Sequence, residues 1–274
     1  MSMRAREPYR SKDRPAHYRT VALHAIERLS DGDTRPKTLH RARTNLRRLQ
    51  AYLELVGEHR NADSIAGCVA RLSKLRTLQV FERYLSKLGA PRFDLKAVKR
   101  RLRGRQKKLQ QKHVYTMIER IVRRQGLQLT HANPAWLAER MRIARETHTG
   151  ALRRLTAEAG IKPRRKMLHR LRLLIKSIRY QEEWALEHPP ALSGLIQQLK
   201  HAQTVLGDYE DLAQFRKLAR TLDLRSAEAI DNAWEKARRR ARALLACLFE
   251  RLGVTRFTGQ NPAIASVDFI VQRA

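Results

Sequence analysis

The sequence predicts an all-α protein. It should consist of two tandem, pseudo-symmetric four-helix bundles, the product of an internal duplication, forming one compact domain with a basic central groove. Three observations lead there. Apolar residues recur at helical spacing through most of the chain, with no strand-like alternation. The stretch Leu168-His169-Arg170-Leu171-Arg172 restates Leu39-His40-Arg41-Ala42-Arg43 about half a chain later. Lysine and arginine number 58 against 26 acidic residues, a net charge of +32.

Residues 1–13 are polar and read as a flexible N-terminus. From Pro15 to Leu29, Tyr18, Ala22, Ala25, Ile26 and Leu29 make one helical stripe, ended by Ser30-Asp31-Gly32-Asp33. Arg35-Pro36 opens the first repeat helix, proline being suited to an early helical position, and Gly57 closes it. Asn61 to Leu88 follows, with Ile65, Val69, Leu72, Leu75, Leu78, Phe81 and Leu85 inward and Gly89-Ala90-Pro91 as the stop. Asp94 to Gln125 reads as one long, very basic helix, completing a first half over 14–128.

The second half spans 133–252. Asn133 and Pro134 suit an N-cap and first residue, and the helix they start runs to Gly160. Lys162-Pro163 opens the second repeat helix, which His188-Pro189-Pro190 ends. Leu192 to Leu206 and Asp211 to Leu222 form a helix broken or kinked near Gly207, and Ala227 to Leu252 a long last one. The helical domain thus covers 14–252, and 253–274 reads as an irregular C-terminal tail.

A hydrophobic content of 42% supports a true core, so the charge belongs to a folded protein and implies polyanionic company. Anionic lipid, nucleic acid and polyphosphate all qualify at this level. No run approaches the 18 or so apolar residues of a membrane span, and no apolar leader is seen at the N-terminus. Cys68 and Cys247 lack metal-ligand spacing, so the expectation is a reducing, cytoplasmic setting with no cofactor and no metal.

The repeated stretches share one helical wheel. Leu168, Leu171, Ile175, Ile178 and Ala185 form an apolar stripe, as do Leu39, Ala42, Leu46, Leu49, Leu53 and Val56. Beside them run His169, Arg172, Lys176 and Arg179, repeated as His40, Arg43 and Arg47. A basic row adjoining a buried row sits at the lip of a groove, and two such helices can line one groove for a long anion. A lone histidine at a helix start is ordinarily structural, and a charge run is ordinarily solvated. Matched histidines beside matched bases point instead to phosphate contact, with arginine's planar fork suited to phosphate oxygens. Histidine would favour the anion when protonated. Arg105, Lys108 and Lys112 share a face and are a possible extension of the groove; Arg164-Arg165-Lys166 and Arg238-Arg239-Arg240 read as solvated runs. Glu54 and Glu183 are expected to pair with arginines, and Trp136, Trp184, Trp234 and Tyr180 to lie in the core.

A second motif also recurs, as Leu72-Ser73-Lys74-Leu75-Arg76-Thr77-Leu78 and Leu206-Gly207-Asp208-Tyr209-Glu210-Asp211-Leu212. With these residues in view, the chain resembles the CHAD family, named for conserved histidines in an α-helical domain. That family's pattern of His, Arg three on, bases near seven and ten on, then Tyr is met by His169, Arg172, Lys176, Arg179 and Tyr180, with Glu183 at a following acidic position. The first copy matches at His40, Arg43, Arg47 and Arg48, with Gln50 where the family favours a base. The downstream signature is present as Leu206, Gly207, Asp211 and Leu212; its first copy, Arg76-Thr77-Leu78-Gln79-Val80, lacks both acids. The resemblance implies a helical bundle whose basic groove binds inorganic polyphosphate without catalysis, in the cytoplasm and associated with polyphosphate granules and their proteins. Arg76 and Lys200 complete the candidate set.

Two other functions compete. Charge alone permits a nucleic-acid-binding protein, but single-strand binders add exposed aromatic platforms, and aromatic content here is 6%. A phosphohydrolase needs metal-holding carboxylates or a phosphate-cradling glycine loop, and neither pattern stands on the basic stripe.

Overall fold

The computed structural model describes residues 14–124, 134–161, 164–185 and 191–251. Among them are nine helices and no strand: α1 (Arg14–Ser30), α2 (Pro36–Leu55), α3 (His59–Leu88), α4 (Arg92–Gln111), α5 (Val114–Arg124), α6 (Pro134–Ile161), α7 (Arg165–Ala185), α8 (Ala191–Thr221) and α9 (Ala227–Arg251). The expected all-α class is what forms. The N-terminal 1–13, the Asn133 N-cap, Lys162-Pro163, His188-Pro189-Pro190 and the 253–274 tail lie outside the described residues.

Two expected elements differ. The long basic helix from Asp94 is two helices, because Lys112 and His113 form a turn in which His113 takes a left-handed φ of 47°. The inward phase of α4, carried by Leu95, Val98, Leu102 and Leu109, would continue onto Thr116 and Arg120. The residues that are buried instead are Val114, Tyr115, Ile118 and Val122, so the apolar phase has to be reset, and a left-handed residue ends the first helix there. The opposite correction applies at Gly207, where α8 runs unbroken from Ala191 to Thr221. A mid-helix glycine costs roughly 1 kcal/mol relative to alanine, which buried neighbours such as Leu206 and Tyr209 offset.

Packing divides the chain into two compact units. The first draws on Met1–Ser73, Lys107–Arg142 and Tyr180–Glu187, the second on Lys74–Gln106, Ile143–Arg179 and His188–Ala274. In the first, α1 packs on α2 and α5. Asp33 fixes the start of α2, accepting hydrogen bonds from the Arg35 amide (2.9 Å) and the Thr38 hydroxyl (2.8 Å). Ile26, Leu39, Leu46, Leu49, Ile65 and Leu72, on the stripes read from the sequence, are fully buried, and so is Ile118 of α5.

In the second unit α8 packs on α9. One apolar cluster joins Leu168, Leu171 and Ile175 of α7 to Leu199, Leu206 and Tyr209 of α8 and Ala237, Ala241 and Leu245 of α9. Another joins Phe81 and Leu85 of α3 to Val98 of α4, Phe215 and Ala219 of α8, and Ile230 of α9. At its centre the Phe81 and Phe215 rings stack 4.7 Å apart. Asp94, fully buried, accepts hydrogen bonds from the Arg225 and Ser226 amides (3.2 and 2.9 Å) and from the Ser226 hydroxyl (2.6 Å). That carboxylate sits where α9 begins, compensating the positive end of the helix.

Candidate anion-binding site

In the second unit the basic stripe stands on α7 because its apolar neighbours face the core. Leu168, Leu171 and Ile175 are buried, so the residues one position further round, His169, Arg172, Lys176 and Arg179, are held half-buried. Arg170, on the far side, is exposed. The stripe therefore runs along the edge of the core, as its register predicts.

Carboxylates of α8 lie along this row. Glu210, with only 6% of its side chain exposed, accepts two hydrogen bonds from Arg165 (2.9 and 3.2 Å) and stands 3.7 Å from Nδ1 of His169. Gln214 donates to the same carboxylate at 2.8 Å, and the Thr77 hydroxyl donates to Gln214 at 2.9 Å, so α3, α8 and α7 are tied by one chain of contacts. Burial alone would push the Glu210 carboxyl up; the donors Arg165 and Gln214 and the charges of Arg165 and His169 outweigh it and hold it below the usual carboxylate value.

One residue along, burial does prevail. The Asp211 carboxyl is raised, chiefly by desolvation, against the charges of Arg172 and Lys176 and with those of Asp208 and Glu210. Arg76, half-buried on α3, also feels Asp211; burial first, then Arg83, lower its value. Asp211 thus shares an electrostatic environment with Arg76, Arg172 and Lys176. Gly207 sits under Arg172: a Cβ there would lie 3.7 Å from the guanidinium Nε. That Nε is buried without a hydrogen-bond partner among the described residues.

The first unit repeats the arrangement on α2. Leu39, Ala42, Leu46 and Leu49 are fully buried, Arg43, Arg47 and Arg48 half-buried, and His40 exposed. Arg43 donates to the Ser73 hydroxyl at 3.2 Å. Ser73 aligns with Gly207 and Arg43 with Arg172, so matched residues of the two halves make matched crossings. Arg48 is 3.9 Å from Glu183 and lies 5.2 Å over the Tyr18 ring. Of the two acids expected to meet arginines, Glu183 meets Arg48; Glu54 accepts a hydrogen bond from Gln50 at 2.8 Å.

The remaining candidates are more dispersed. Lys200 is exposed on α8. Arg105 is half-buried in the second unit, whereas Lys108 is exposed in the first and Lys112 belongs to the turn after α4. The single helical face expected for these three therefore stops at Gln111. Trp136 is 44% exposed in the first turns of α6 beneath Arg140, contrary to the core position expected; Tyr180 is buried, Trp234 packs partly buried against the second unit's core, and the Trp184 side chain lies outside the described residues.

The sequence reading missed Arg165 and Glu210. Arg165 precedes His169 by four residues and so shares its stripe, but within Arg164-Arg165-Lys166 it looks like ordinary solvated charge. Among the described residues no group of three or more His, Cys, Asp or Glu is placed to hold a metal ion, and no helix is long and apolar enough to cross a membrane.

The sequence pattern described as the CHAD domain matches residues 16–220 of the chain. No curated protein matches it. Among solved structures, the crystal structure of the CHAD domain from the plant Ricinus communis is similar, with a TM-score of 0.52 and 22% identity over 90% of this chain and 92% of that one. At that identity the likeness bears on the fold.

Proposed function

The chain belongs to the CHAD family, and from that premise we propose that it binds inorganic polyphosphate through the His169, Arg172, Lys176 and Arg179 row of α7, with Arg76, Lys200 and the α2 residues His40, Arg43, Arg47 and Arg48 as further contacts. The observation that carries this reading is the half-burial of the α7 row beside a fully buried apolar row. Glu210, 3.7 Å from His169 and bonded to Arg165, pre-orients the start of the row, and part of the entropy of ordering those side chains is already lost before ligand arrives. A bare phosphate chain offers oxygens and charge without bases or hydrophobic groups, which suits a row of guanidinium, ammonium and imidazole. The role is binding without turnover, and the setting it fits is the cytoplasmic polyphosphate granule and its proteins.

The test is charge reversal. R172E/K176E should weaken binding of long-chain polyphosphate on the order of a hundredfold at moderate salt and flatten its salt dependence. K236E/R239E, on exposed positions of α9, should change it less than about threefold. Equal losses would show that only diffuse charge matters. Phosphate release from polyphosphate incubated with the protein and Mg²⁺ would overturn the non-enzymatic reading.

A further inference from the structure

The α7 row uses only a fraction of the positive charge, and α4 carries a second, differently built concentration of it. Arg92, Lys96, Arg100 and Arg103 recur at i, i+4, i+8 and i+11, within about 80° of one another on the helix, and all four are exposed. Their helix contains a single acid, Asp94, whose carboxylate is turned inward onto the start of α9. No ion pair reaches these four residues among the described ones. Bordering the row is Phe93, 61% exposed and the most solvent-accessible large hydrophobic residue described.

We propose that this face of α4 is a second binding surface, for single-stranded nucleic acid, with Phe93 as the stacking platform and Arg92, Lys96, Arg100 and Arg103 as phosphate contacts. The cations step along the helix by about 6, 6 and 4.5 Å, longer than the 3.4 Å per-strand rise of a stacked duplex. That spacing suits an extended strand with its bases splayed. A ring beside such a row gives a base something to stack on, whereas polyphosphate has no base and no use for Phe93. A bilayer is the poorer fit because interfacial helices bury an apolar face in lipid. The apolar side of α4 is already turned inward, through Val98 and Leu109. This surface is separate from the α7 reading and does not depend on it.

Binding of the full chain to a fluorescent oligothymidylate, to long-chain polyphosphate and to anionic vesicles separates the possibilities. F93A, at an exposed position, should weaken oligothymidylate binding about tenfold, leave its salt slope unchanged and leave polyphosphate affinity within twofold. R100E/R103E should lower the oligothymidylate salt slope by about 1.4, the value for two single-strand phosphate contacts. R172E/K176E should affect polyphosphate far more than the oligonucleotide. The inference is overturned if F93A leaves oligothymidylate binding unchanged. It is also overturned if R172E/K176E abolishes binding of both polymers equally, or if Phe93-dependent binding is seen to vesicles and not to the oligonucleotide.

Discussion

Replacing Glu210 with glutamine tests the contact network that orders the α7 row. The substitution keeps the side chain's shape and removes its charge. Glu210 is almost completely buried, so its two bonds from Arg165 are charge-assisted in a partly dry setting, a class worth about 1.5–3 kcal/mol each. Against this, Arg165 is 47% exposed, so its released guanidinium rehydrates and its share is screened. The neutral glutamine also escapes the burial penalty that Glu210 bears. The net loss should be about 1–2 kcal/mol, which for a chain of this size corresponds to a fall in melting temperature of about 2–4 °C. The pH dependence identifies the cause. A carboxyl held below its ordinary value of 4.5 contributes stability that is fully present above that value and lost as pH falls through the folded value. The difference between wild type and E210Q, followed by far-UV circular dichroism melting, should be present at pH 7 and shrink below about pH 4.5, as pH falls through the folded value. An equal difference at pH 7 and pH 4, or none at pH 7, would refute the view that Glu210 acts through charge.

Asp211 should behave with the opposite sign. Burial holds its carboxyl above the ordinary value, so its ionised form costs native stability, and that cost grows as pH rises through the folded value. D211N should therefore melt about 1–2 °C above wild type at pH 7, with the advantage fading in acid, and should bind polyphosphate a few-fold more tightly near neutrality; a lower melting point at pH 7 would contradict this. D94A should cost about 2–4 kcal/mol in urea denaturation, because three donors at the start of α9 lose their buried acceptor. The Cys68 thiol, which burial pushes up to about 11, should resist thiol reagents at pH 8 until the protein is denatured, while exposed Cys247 reacts at once; rapid labelling of both would show that Cys68 is accessible.

Much of this was legible in the residues. Seven apolar positions of α3, from Ile65 to Leu85, were read as inward, and all are buried. The half-burial of the α7 row followed from register alone. Other features depended on partners distant in sequence. Arg165 matters because Glu210 is beside it, and nothing local to Arg165 announces a carboxylate 45 residues away. Gly207 looked like a helix breaker because glycine is a poor helix former. In the structure it lies inside a continuous helix, with Arg172 beside it at a distance a Cβ would meet as ordinary contact. The α4–α5 turn could have been found: the change of apolar phase between Leu109 and Val114 is visible in the sequence, but continuous basic charge across it suggested a single helix.

The paired crossings Arg43–Ser73 and Arg172–Gly207 have a consequence for what each copy can offer an anion. Both retain an arginine over the same point on a neighbouring helix. In one copy a hydroxyl accepts from the guanidinium Nη2; in the other a glycine stands at that point. In both crossings the guanidinium Nε is buried without a hydrogen-bond partner among the described residues. Each crossing therefore keeps an Nε–H that an anion's oxygen can accept from, and the copies differ in that the first also spends an Nη2–H on the Ser73 hydroxyl.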